Sequence, residues 1–303
     1  MCLSSAEVRT DDSNRVLGPD HPNTLITRNN LARALGRSGR VAEAIAAFEQ
    51  LLKDQNRVLG PDNPTALATR NNLAELLGES GRLVEAIAAF ERLLKDQNRV
   101  LGPDNPDTLD TRGNLALLLG ESGRVTDAIA SYKRLIKDQN RVRGPDDPES
   151  LLAVSNFAVL LGESGRVAEA TTMLKQLLKD QLRVLGPDAP QTLNTRINLA
   201  FLLAELGQVF EAIITSRKVL DDVSRVLGPD HPLTLNTRKN LASLFAESGR
   251  VNEATRTFEQ LITDSNRVLG PDHPDTLGTR NDLALLLGKS GRVAEAITAF
   301  NQL

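Results

Sequence analysis

The sequence predicts an all-α protein, an α-solenoid of seven helix-turn-helix repeats behind an N-terminal capping helix, and three observations carry that prediction. The tripeptide Gly-Pro-Asp opens at Gly18 and returns at Gly60, Gly102, Gly144, Gly186, Gly228 and Gly270, always 42 residues later. Each copy holds two stretches of apolar residues at helical spacing, separated by a glycine turn, and neither stretch can bury its stripe without stacking on a neighbour. No stretch alternates in the manner of a strand. A repeat array grows by adding layers, so the 303 residues count repeats and not domains. The expected organisation is a single domain over 1–303, with a capping helix over 1–18 and seven repeats over 19–303, the last truncated.

Taken in chain order, residues 1–17 align with the second helix of a repeat, with Arg9 and Thr10 where the next copy has Leu51 and Leu52. That polar replacement suits a terminal cap. In the first full copy the apolar or small residues Leu25, Leu31, Ala32, Ala34 and Leu35 mark a first helix, with Asp20 and Pro22 as its start signals. Gly36 and Gly39 are expected to stop it. A second helix runs from about Val41 to Val58, presenting Val41, Ala44, Ile45, Phe48, Leu51 and Leu52 on one face. Arg57 lies in its last turn and Gly60-Pro61 ends it. At the other end Leu303 falls at the frame position of Leu51. Either the array continues in a longer natural protein, or another chain completes this end by self-association, or a frayed end is tolerated.

Ala32, Leu35, Ala44, Phe48 and Leu51, with small residues where the helices cross, match the tetratricopeptide pattern. The 42-residue form with TRNNLA, GR-x-x-EA and V-L-G-P-D-H-P resembles the variety found in kinesin light chains and many bacterial arrays. The resemblance covers nearly the whole chain. It implies a right-handed superhelix with first helices lining a concave groove, and a protein-binding scaffold; the scaffold serves many partners, so it names none.

The charge balance, 36 basic against 39 acidic residues, is not that of a protein gripping a nucleic-acid backbone, and aromatics for base stacking are scarce. Cys2 is the single cysteine, which excludes an internal disulfide and a cysteine zinc site. Neither a signal peptide nor a membrane span is indicated, so a soluble cytoplasmic protein is expected. His21, His231 and His273 share one connector position at least a repeat apart, about 10 Å in a stacked array, too far to share a metal. With no phosphate loop, nucleophile elbow or zinc-protease motif, no catalytic residue, cofactor or metal is expected, and the chain reads as a non-enzyme.

On a helical wheel the first helix leaves Ile26, Asn29, Asn30, Arg33 and Arg37 away from the packing half. One of these positions recurs as Asn72, Asn114, Asn156, Asn198 and Asn240, then Asp282. An amide once per repeat suits the main chain of an extended peptide; alternatively, each amide bonds a neighbouring helix or survives from recent duplication. Leu117, Leu152, Val159, Ile197 and Phe201 put apolar side chains on the same face in copies three to five. They are candidates for binding a partner, or for packing across a tight inner curve. Glu79, Glu121, Glu163, Glu205 and Glu247 form an acidic edge, expected to pair locally with an arginine three residues on, as Glu79 with Arg82. Arg28 and its equivalents Arg70, Arg112, Arg196, Arg238 and Arg280 are expected to cover the helix interface and pair at its edge.

These residues favour a scaffold that binds an extended peptide, apolar at its centre and neutral or basic at its flanks. The second reading is an assembly element or sensor portion of a larger signalling protein, stacking through its C-terminal end. No nucleic-acid or membrane partner is expected.

Overall fold

The computed structural model describes residues 2–301, and among the described residues it consists of fifteen α-helices and no strand. The chain divides into two compact units, Met1–Ala153 and Val154–Leu303. The first contains α1 (Cys2–Leu17), α2 (Pro22–Arg37), α3 (Val41–Val58), α4 (Pro64–Glu79), α5 (Leu83–Val100), α6 (Pro106–Glu121) and α7 (Val125–Val142). The division falls inside α8 (Pro148–Glu163). The second unit continues with α9 (Val167–Val184), α10 (Pro190–Glu205), α11 (Val209–Leu227), α12 (Pro232–Glu247), α13 (Val251–Val268), α14 (Pro274–Lys289) and α15 (Val293–Phe300). Leu303, on which the expected self-association rested, lies outside the described residues. Among the described residues no helix is long and apolar enough to cross a membrane.

Consecutive helices pack on one another from α1 to α7 in the first unit and from α9 to α15 in the second, as an amphipathic stripe of this width requires. Ala32 and Ala44 are fully buried where α2 crosses α3, and Phe48 and Leu51 fill the space beside them. At the N-terminal helix, Thr10 is buried and Arg9 is exposed where Leu51 is wholly covered one repeat later.

The connector explains the tripeptide. Gly18 takes φ +88°, a left-handed conformation that a side chain disfavours. Pro22 starts α2 where its missing N–H costs nothing. Asp20, read from the sequence as a start signal, instead ties the connector to the following repeat helix. Arg57 at the end of α3 donates two hydrogen bonds to its carboxylate, at 2.6 and 3.0 Å. The same clamp joins Arg99 to Asp62, Arg141 to Asp104, Arg225 to Asp188 and Arg267 to Asp230. These hydrogen bonds hold each of the five carboxyls below its ordinary value.

In six of the seven connectors the residue after the aspartate does the capping. Asn63 and Asn105 accept the N–H two residues on at 2.9 Å, and Asp147 does so at 3.0 Å. His21, His231 and His273 do the same through Nδ1, which accounts for the three histidines as helix caps. Ala189 occupies the position before α10 and makes no such bond. Ala189→Asn therefore raises stability by about 0.5–2 kcal/mol, seen as a higher melting temperature; an unchanged or lower one contradicts the capping account.

The stop signals also sort differently from the sequence reading. Gly39, at φ +81°, makes the turn, whereas Gly36 lies inside α2. A Cβ built on Gly36 would stand 3.0 Å from Leu76 Cδ1, and on Gly78 it would stand 2.9 Å from a Leu118 methyl. These glycines let one first helix approach the next.

Candidate functional site

The first helices carry the candidate residues, so their mutual spacing decides what the face can hold. At the Gly36 position the series runs Gly36, Gly78, Gly120, Gly162, Ala204, Ala246 and Gly288. In the first unit α2 approaches α4 closely, and α4 approaches α6. Between α2 and α4 the remaining cavity is about 140 Å³, with Asn72, Glu75 and Glu79 on its wall and Phe48 at its floor. In the second unit the Cβ atoms of Ala204 and Ala246 replace that hydrogen, and two larger openings appear. One, about 490 Å³, lies between α10 and α12; the other, about 370 Å³, lies between α12 and α14.

The cavity between α10 and α12 gathers five of the residues singled out from the sequence: Ile197, Phe201 and Asn240, with Glu205 and Glu247 of the acidic edge. Phe201 is 59% exposed. Ile197 is half-buried, since it also packs against the buried cluster of Leu193, Val219 and Val223. Val159 is half-buried on α8, while Leu117 on α6 and Leu152 on α8 are exposed. Leu117 and Leu152 belong to the first unit, and Val159, Ile197 and Phe201 to the second.

The asparagine row is not uniform. Asn72 donates to Asn29 Oδ1 at 3.1 Å, and Asn114 donates to Glu75 Oε1 at 2.9 Å, so both tie one first helix to the preceding one. Thr69 and Thr111 add weaker bonds to Asn29 and Asn71 at 3.5 and 3.4 Å. Asn156 and Asn198 are half-buried, Asn240 is exposed at the cavity, and Asp282 pairs with Lys239 at 3.1 Å.

The acidic edge departs from expectation. Arg82 pairs with Glu85 at 2.5 Å, in the first turn of the next helix, and not with Glu79. Arg124 turns likewise to Asp127, Arg166 to Glu169 and Arg250 to Glu253. The reason is geometric and electrostatic: the arginine precedes a helix N-terminus, where a forward carboxylate three residues on is within reach and favoured by the helix dipole. Glu79, Glu121, Glu163, Glu205 and Glu247 are consequently exposed carboxylates with no ion pair among the described residues. In repeat five the arginine itself is replaced by Gln208.

The recurrent arginines of the packing half behave as expected. Arg28 meets Asp54 at 2.7 Å, Arg70 meets Asp96 at 2.8 Å, Arg112 meets Asp138 at 2.6 Å, and Arg196 meets Asp222 at 2.5 Å. Each bond locks the first helix of a repeat to the second. Arg238 reaches Asp264 at 2.5 Å, and Arg280 donates to Asn266 at 2.9 Å. Among the described residues no group of three or more His, Cys, Asp or Glu side chains could hold a metal ion.

Ser216 and Val219, at the floor of the cavity, escaped the sequence reading. Their columns carried the signal. Phe48, Phe90, Tyr132, Leu174, Ser216, Phe258 and Phe300 form one, and Leu51, Leu93, Leu135, Leu177, Val219, Leu261 and Leu303 the other. Repeat five has the smallest side chain in both.

The comparisons with known proteins fit this architecture. One tetratricopeptide repeat model matches residues 11–57, 37–97, 65–141, 191–264 and 246–303, and a second matches 151–191. No curated protein matches the chain. Among solved structures, nearly identical TPR-like repeats of a kinesin-light-chain-like protein from Podosopora anserina are 25% identical, at a TM-score of 0.58 over 70% of this chain and 99% of that one. BtubC (BKLC) from P. vanneervenii is 19% identical, with a TM-score of 0.63 over 73% of this chain and 89% of its own. A tetratricopeptide repeat protein from Parabacteroides merdae is 17% identical, with a TM-score of 0.60 over 92% and 93%. The last two show the fold alone. With helix pairs, glycine turns and packing alanines in place, and with repeat models matching nearly end to end, the chain belongs to the tetratricopeptide repeat family.

Proposed function

We propose that the chain is a non-enzymatic scaffold that binds an extended peptide segment of a partner along its first-helix face. Tetratricopeptide repeats in general mediate protein–protein interaction. The observation that supports the finer reading is the meeting of Ile197, Phe201 and Asn240 in one open cavity, apolar wall and amide together. That combination suits a peptide, whose main chain needs hydrogen bonds and whose side chains need apolar cover. The unpaired carboxylates beside it favour a partner that is neutral or basic at its flanks and disfavour an acidic one.

Selection of a random dodecamer display library on the intact chain tests the proposal. The expected winners are apolar at the centre with Lys or Arg at the flanks. Single Asn198→Ala and Asn240→Ala changes should weaken them about two- to twelve-fold, the equivalent of one lost hydrogen bond. Mainly acidic winners, indifferent to both changes, would sink the reading.

A further inference from the structure

The cavity between α10 and α12 lies where repeat five lacks the side chains that fill the same place elsewhere. Phe48, Phe90, Tyr132, Leu174 and Phe258 are at most 2% exposed, so the position is core in repeats one to four and in repeat six. At Ser216 the position is still buried, 4% exposed, but a phenyl ring's worth of packing is missing beneath the face. Val219, where other repeats carry leucine, removes a further methylene. The neighbouring cavity keeps Phe258 at its floor and is smaller, at about 370 against 490 Å³, although Ala246 spaces its helices as Ala204 does here. The two truncations lie at the floor of the larger cavity. An open apolar recess of this kind is costly to leave to water alone.

The rim says what fills it. Glu205 and Glu247 stand at the ends of α10 and α12, both lining the cavity, both exposed and neither in an ion pair among the described residues. A carboxylate at a helix C-terminus gains from a cation placed against it, because the helix dipole there is also negative. Phe201 offers an aromatic side wall. We propose that the recess over Ser216 and Val219 is an anchor pocket for one bulky apolar side chain of a partner protein's extended segment, with a Lys or Arg of the same segment against Glu205 and Glu247. This rests on the peptide-binding reading and gives it a specificity site.

The test fills the pocket from below. Ser216→Phe restores the residue that Phe48, Phe90 and Phe258 supply in their repeats, and Ser216→Leu restores that of repeat four. Both should melt at or above the parent temperature, because they return a core side chain to a core position. Peptides selected from the dodecamer library on the parent chain should carry a bulky apolar residue next to Lys or Arg. They should bind both filled variants at least about tenfold more weakly, since a buried aromatic anchor carries that much affinity. Combining Glu205→Gln with Glu247→Gln should weaken them about two- to fivefold and flatten the salt dependence.

Peptides that need Phe201 and Asn240 but bind Ser216→Leu unchanged would overturn the pocket and leave the groove reading in place. Peptides indifferent to Phe201→Asp as well, or a library without enrichment, would overturn both. Self-association of the parent chain, measured by light scattering and abolished by Ser216→Phe, would put a second copy in the pocket and overturn the assignment to a partner protein.

Discussion

Asp222→Ala lowers the stability of the chain by about 3 kcal/mol, because it leaves the Arg196 guanidinium without its partner in a site 8% exposed. The pair closes at 2.5 Å, and Asp222 itself is 19% exposed. Removing one member strands a charge that water cannot reach, which costs more than the pair contributes. Replacing both, as Arg196→Met with Asp222→Leu, should recover most of the loss. Repeat four already carries an apolar residue, Val154, at the arginine position. Urea unfolding of the single and double variants checks this. A single-variant loss under about 1 kcal/mol would mean that the interface pair is effectively solvated.

The arginine column was legible in the sequence as interface cover because its position on the wheel is fixed by the helical period. So were the bounds of the second helices: α3 runs Val41–Val58 as read, since Gly60-Pro61 and the apolar stripe both mark its limits. The role of Gly36 was not legible. Two glycines three residues apart can both end a helix, and only the distance to Leu76 shows that the first serves a close approach. The pairing of Arg82 with Glu85 was missed for a related reason, because the carboxylates three residues before and after it are equivalent on paper. Folding breaks that symmetry, since Glu79 ends one helix while Glu85 begins another.

The candidate site was half legible. Residues on the exposed half of the first helices can be read off one column at a time, and Ile197, Phe201 and Asn240 were found that way. Nothing on that face reveals the depth beneath it. Depth depends on the buried columns of the second helix, where Ser216 and Val219 depart from their neighbours, and on Ala204 in the spacing column. In a repeat array an undersized core residue under an exposed face is as informative as an unusual residue on the face.

Phe201→Asp should abolish binding of the selected peptides while leaving the melting temperature within the range of a surface change, about 0.5 kcal/mol. Phe201 is 59% exposed on α10, so its ring is lost from the binding face and not from the core. Phe210 supplies the control: it is 76% exposed on α11 and does not line the cavity, and Phe210→Asp should leave binding intact. Titration calorimetry of one selected peptide against the parent and these two variants tests the first-helix face most directly. The account predicts no measurable heat for Phe201→Asp and parental affinity for Phe210→Asp. Parental affinity for Phe201→Asp together with loss for Phe210→Asp would place the partner on the second helices and contradict it.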